Sequence, residues 1–124
     1  MKILTISYGD IYNVVVSEVL GTFEQAVLLA LVHLGKGAYG RAILQDVQRR
    51  LQREVAAGAV YATLDRLEDK ALVSSRLGSG TPVRGGRPRR YYLIESAGVH
   101  ALNESKAAVE NIWHGFRWPL KGRA

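Results

Sequence analysis

The sequence contains no cysteine. That excludes a disulfide framework, a thiolate zinc site and a cysteine nucleophile together, and it suits a reducing compartment. No apolar run approaches the ~20 residues that span a bilayer. Residues Met1 to Leu20 carry one lysine and a broken apolar stretch, without the order of a signal peptide. The expected location is cytoplasmic. Acidic residues are missing between Arg76 and Arg90, a stretch that holds five arginines. His33, His100 and His114 share no metal-ligand spacing. His33, inside an apolar helix, is expected to be a satisfied core histidine. No serine, histidine and carboxylate constellation stands out, so neither catalysis nor a cofactor is expected.

What is present suits one domain. The chain has 124 residues, 48% of them hydrophobic, which is enough for a core. Its formal net charge is +6. Such a balance favours an anionic partner, either nucleic acid or an acidic membrane surface.

Residues 1–20 form an N-terminal extension, in which the β-branched run Ile11 to Leu20 leaves strand and helix undecided. Gly21-Thr22 punctuates the chain, and Thr22 is expected to cap the next helix. Phe23 to Leu34 is almost wholly apolar and predicts a central helix covered on most faces. Gly35-Lys36-Gly37 ends it. Tyr39 to Arg53 is amphipathic, with Ile43, Leu44, Val47 and Leu51 at helical spacing. Gly58 to Ala71 forms a third helix with a narrow stripe of Val60, Leu64 and Leu67. Ala59, Ala62 and Arg66 lie away from that stripe, and Tyr61 lies on its flank. Leu72 to Leu77 predicts a strand, Gly78 to Gly86 a glycine-rich loop, and Arg89 to Ile94 a returning strand. That loop lacks the lysine and hydroxyl of a phosphate-cradling loop, and a strand rather than a helix follows it. A last helix runs from Glu95 or Ser96 to about Phe116, and 119–124 is a tail.

Three helices, a two-stranded wing and a closing helix make a winged helix-turn-helix, a mainly α (α+β) fold. In that arrangement the second helix of the pair enters the major groove. Gly58, Ala59 and Ala62 are small enough for close approach, Tyr61 and Thr63 supply hydroxyls, and Arg66 reaches a phosphate or guanine. The octapeptide Gly85-Gly86-Arg87-Pro88-Arg89-Arg90-Tyr91-Tyr92 turns on its glycines and carries arginine forks that match phosphate. A solvated basic turn is the bland alternative. Arg90 alternates to the face opposite Arg89 and is expected to pair with a carboxylate. Of Tyr91 and Tyr92, one ring is expected in the core and one at the surface.

Here the sequence resembles the PadR family of bacterial transcriptional regulators. The resemblance is carried by Gly21-Thr22-Phe23, Ala38-Tyr39-Gly40, the helix Gly58-Ala59-Val60-Tyr61-Ala62-Thr63-Leu64-Asp65-Arg66-Leu67, the wing octapeptide and Ala97-Gly98. It spans about Gly21 to Leu102. Departures are Ala38 ahead of Tyr39 and the alanines at 56, 59 and 62, where the family carries more polar groups or proline. The resemblance implies a domain over 21–94 that binds double-stranded DNA through Tyr39, Gly58, Ala59, Tyr61, Ala62, Thr63, Arg66, Arg84, Arg87 and Arg89. It also implies a dimerisation helix over 95–118, with Val99, Leu102, Val109, Ile112, Trp113 and Phe116 at the seam. Leu102, Val109 and Phe116 recur every seven residues, which suits a helix pair. Trp113, Phe116 and Trp118 either line a pocket for a small aromatic or phenolic effector or pack an interface. The expected function is a homodimeric repressor of a pseudo-palindromic operator. The alternative is a winged-helix interaction module that touches no DNA, motivated by the alanine-rich third helix.

Overall fold

The computed structural model describes residues 19–78 and 88–123. Among them α1 is Thr22–Leu34, followed by a 3-10 turn at Gly35–Gly37. Then come α2 (Gly40–Leu51), α3 (Ala57–Asp69), β1 (Val73–Leu77), β2 (Arg90–Ile94) and α4 (Ser96–Trp113). This is the expected order, and the fold is a winged helix whose described residues form four α-helices and a two-stranded antiparallel sheet. The leader 1–18, Arg84, and the glycines and Arg87 of the wing signature lie outside the described residues.

Helix α1 starts differently from expectation. Gly21, not Thr22, is the N-cap, and Thr22 is already helical. Glu24 reaches back so that its Oε1 accepts from the Gly21 N–H at 3.3 Å, an acid well placed at the positive helix end. Gly35 closes the helix at φ +56°, where a side chain would be strained. The helix is also less covered than its composition suggests. Ala26, Val27, Leu28, Ala30 and Leu31 are buried, but Leu29 and Val32 are exposed.

The core joins Val27 and Leu28 of α1 to Ile43 and Val47 of α2, Val60, Leu64 and Leu67 of α3, and Val73 and Tyr92 of the sheet. Each fully buried aliphatic side chain stabilises by about 1.5–3 kcal/mol. Beside this core sits the carboxylate of Asp46, almost wholly buried. His33 Nδ1 lies 2.7 Å from its Oδ1, Arg50 Nε donates to Oδ2 at 2.6 Å, and Arg49 Nη2 donates to Oδ1 at 3.3 Å. Burial pushes this carboxyl upward, but the hydrogen bonds and charges of Arg50 and His33 together outweigh it and hold it below its ordinary 3.8. His33 is therefore no core histidine: its side chain is mostly exposed and ties α1 to α2 through Asp46.

The sheet is amphipathic in its register. Val73 faces Ile94, Ser75 faces Tyr92 and Arg76 faces Tyr91. Tyr92 is buried and Tyr91 only half-buried, as the alternation requires. The Tyr92 N–H also donates to the Ala38 carbonyl at 2.8 Å, and Tyr39 bridges Tyr91. The start of α2 is thereby fixed to the wing. At the start of α4, Gly98 is buried against Leu72, just before β1, and Ile94 at the end of β2. A Cβ there would stand 2.5 Å from the Leu72 carbonyl oxygen and 2.7 Å from Ile94 Cγ1. Further along α4, Ser105 Oγ accepts from the Leu20 N–H at 2.8 Å and anchors the incoming chain.

Candidate nucleic-acid interface

Of the residues expected to touch DNA, Arg84 and Arg87 lie outside the described residues, and the others except Thr63 are exposed or half-buried on α3, at the start of α2 and at the wing. On α3, Val60, Leu64 and Leu67 point into the core, so the 100° step per residue turns Gly58 and Ala62 outward. Both are exposed, as are Ala59 and Arg66. Tyr61 lies on the flank toward α2 and is 45% exposed. Its ring covers Gly40 so closely that a Cβ on Gly40 would be 2.7 Å from Tyr61 Cζ. A side chain at the first position of α2 would therefore have to displace the tyrosine ring of α3.

The band continues from Gly40 to its neighbour Tyr39. Arg89 stacks its guanidinium 4.1 Å from the centre of the Tyr39 ring. Tyr39 and Tyr91 meet edge to face at 6.0 Å. Cation–π contact of this kind fixes the guanidinium plane while leaving its donors free. Among the described residues no carboxylate pairs with Arg89, whereas Arg49 and Arg50 are taken by Asp46 and Lys70 by Glu24.

The exception is Thr63. It is 2% exposed, and its Oγ1 accepts from Arg66 Nη2 at 3.1 Å. Three residues after Val60 and one before Leu64, it belongs to the core stripe, and its hydroxyl is nearly closed to solvent and engaged by Arg66. Arg66 is correspondingly held along its own helix. Arg90 also differs from expectation: its Nη1 donates to the Ser75 hydroxyl at 3.0 Å rather than to a carboxylate.

Sequence reasoning missed Arg53. With Glu54, Ala59, Ala62, Thr63 and Arg66 among its neighbours, it lines an open hollow of about 420 Å³ along one flank of α3. Its place at the entrance to the turn, on the border of two helices, was the available signal.

The closing helix presents a second surface. Val99, Val109, Ile112 and Trp113 are exposed, Ile112 at 72%. Leu102 differs from its heptad companions, because it is half-buried against the core of its own domain. The helix ends at Trp113, so Phe116 lies beyond it, 66% exposed. Trp113 and Trp118 meet edge to face at 5.7 Å.

Comparison with known proteins agrees with this architecture. The family model described as "Transcriptional regulator PadR-like family" matches residues 28–104. The chain is similar to the transcriptional regulator Rv3488 of Mycobacterium tuberculosis, 37% identical over 90 residues, covering 70% of this chain and 78% of that protein. Among solved structures, a PadR-like transcription factor from Bacteroides fragilis superposes with a TM-score of 0.61 at 27% identity, covering 74% of this chain and 84% of that one. A PadR family regulator from Eggerthella lenta does so with a TM-score of 0.57 at 28% identity, covering 87% and 90%. Because the family match spans more than half of the 124 residues, on a winged helix of the same order, this chain belongs to the PadR-like family of transcriptional regulators.

Proposed function

We propose that the protein is a homodimeric repressor that occupies a pseudo-palindromic operator. Regulators of its family bind DNA and typically dimerise, and they are not enzymes. The observation that carries the reading is the continuous band from Tyr61 over Gly40 to Tyr39 and Arg89. It joins a groove-reading helix to a phosphate-gripping wing on one side of the molecule.

In this reading α3 of each protomer enters the major groove with Gly58, Ala59 and Ala62 at closest approach. Tyr61 supplies the hydroxyl that reads a base edge, and Arg66 stands at the groove margin. Arg89 holds a backbone phosphate, Tyr39 orients it, and Arg84 and Arg87 continue the grip at the wing. Phosphate contacts position the protein, while base contacts specify the sequence. With so few polar groups on α3, sequence preference falls mainly on Tyr61 and on the shape of the duplex.

The exposed faces of Val99, Val109, Ile112, Trp113 and Phe116 supply the dimer seam. Leu29 and Val32 of α1 add to the exposed apolar surface. A two-fold axis through that seam sets two α3 helices one turn of DNA apart, about 34–36 Å. We assign Trp113 and Trp118 to this seam, since both rings are exposed and meet edge to face at 5.7 Å. Binding of the purified protein to a duplex from its own upstream region, measured by fluorescence anisotropy at low and high salt, tests the reading. Tight binding there with at least tenfold weaker binding to random duplex supports it. Equal or absent binding at low salt refutes it.

A further inference from the structure

The outer face of the sheet holds a second concave site that none of the expected contacts uses. Residues Arg76 and Tyr91 are cross-strand partners, and the Arg76 guanidinium stands 5.2 Å from the centre of the Tyr91 ring. Together with Lys36 of the 3-10 turn and Ser74 of β1 they line a hollow of about 230 Å³. Two cationic residues thus border one hollow, beside the hydroxyls of Ser74 and Ser75, which donate to Glu95 at 2.5 Å and to Glu68 at 2.9 Å. Among the described residues neither Lys36 nor Arg76 has a carboxylate partner, although the chain pairs several of its other cations.

The hollow is continuous with the proposed DNA-binding band. Tyr91 touches Tyr39, and Tyr39 carries Arg89. The Gly78 N–H donates to the Arg89 carbonyl at 2.7 Å, which puts Arg89 opposite residue 78 and two residues along the ladder from Arg76. At a rise of ~3.3 Å per residue the two arginines are about 7 Å apart along the strands. Phosphates of one DNA strand advance ~3.4 Å each along the helix axis. The spacing of the arginines along the strands therefore corresponds to the axial advance of about two nucleotides.

We propose that this hollow is a second phosphate-binding position, in which Lys36 and Arg76 hold a backbone phosphate of duplex DNA beside the one met by Arg89. The proposal rests on the DNA-binding reading above, and it extends the footprint from the wing toward the end of α1. Tyr91 acts as the platform that orients Arg76, as Tyr39 does for Arg89.

The salt dependence of binding tests it on the intact protein, with a random-sequence duplex so that base reading does not enter. The logarithmic slope of affinity against salt changes by about 0.9 per phosphate contact. Arg76→Ala should flatten the slope by about that amount per protomer and weaken binding to all sequences alike. Arg76→Lys, which keeps the charge, should restore the slope. Lys36→Ala should flatten it as Arg76→Ala does. A wild-type slope in Arg76→Ala, with Arg89→Ala still flattened, overturns the second site and leaves the DNA reading standing. A slope in Arg76→Lys as flat as in Arg76→Ala also overturns it, because shape rather than charge would then be at work. Inorganic phosphate at constant ionic strength should leave the difference between wild type and Arg76→Ala unchanged. Loss of that difference would assign the hollow to a free anion instead. Absence of any wild-type binding at 50 mM salt would remove the DNA reading itself.

Discussion

Replacing Gly40 with alanine separates the recognition surface from the stability of the fold. Gly40 opens α2 at an ordinary helical φ, so alanine is conformationally allowed there. Helix propensity alone favours alanine over glycine by up to ~1 kcal/mol. Against this stands the new Cβ, 2.7 Å from Tyr61 Cζ and closer still to the hydroxyl. The obstructing group is the far end of a side chain that is 45% exposed, not backbone or core. The ring can therefore swing outward into solvent and lose only part of its packing. The two effects roughly cancel, and unfolding in guanidinium chloride should stay within about 1 kcal/mol of wild type. DNA recognition has no such compensation. A displaced Tyr61 hydroxyl loses a hydrogen bond of about 0.5–1.5 kcal/mol, equal to a ~2- to 10-fold loss of preference for operator over random duplex. Anisotropy titrations of both duplexes read this directly. Full discrimination in Gly40→Ala would refute the role given to Tyr61. A stability loss above about 2 kcal/mol would show instead that the ring is a fixed part of the core.

Other perturbations test other joints of the structure. Gly98→Ala places a Cβ against the Leu72 carbonyl, which is backbone and cannot step aside; the protein should lose about 1–3 kcal/mol in denaturant unfolding, and an unchanged midpoint would contradict the close approach. Asp46→Asn removes a carboxylate that titrates below its ordinary 3.8 in the folded state. Its contribution to stability is present above that pH and is lost as the pH falls through the lower folded value. The stability gap between wild type and Asp46→Asn should therefore narrow from pH 5 to pH 2, and a constant gap would argue against an ionised Asp46. Ile112→Asp puts a charge on the exposed face of α4; sedimentation at micromolar concentration should show a folded monomer, and a persisting dimer would move the seam elsewhere.

The order of elements was legible because each has a strong local signature. An alanine- and leucine-rich α1, glycine breaks and an alternating return strand need no tertiary knowledge. Tyr61 was placed on the flank of α3 by helical spacing alone, and the structure keeps it there. What escaped depends on neighbours distant in sequence. Thr63 reads as polar, yet the three other stripe positions, Val60, Leu64 and Leu67, are aliphatic, and Arg66 supplies the bond that lets its hydroxyl be buried. His33 looked like a core residue because its helix is apolar, but its partner Asp46 lies across the interhelical groove. Leu102 fits a heptad with Val109 and Phe116, but the helix stops at Trp113 and Leu102 turns toward its own core. The stack of Arg76 on Tyr91 follows from strand register, which a single sequence does not reveal when the loop is long.

The central claim, that the band from Tyr61 to Arg89 is the DNA-binding face, is tested most directly by mapping amide and aromatic NMR shifts during titration with a duplex from the upstream region. The account predicts changes concentrated at Tyr39, Gly40, Gly58, Tyr61, Ala62 and Arg89, with Ile112 and Trp113 on the opposite seam unmoved. Changes confined to α4, or none at low salt, would contradict it.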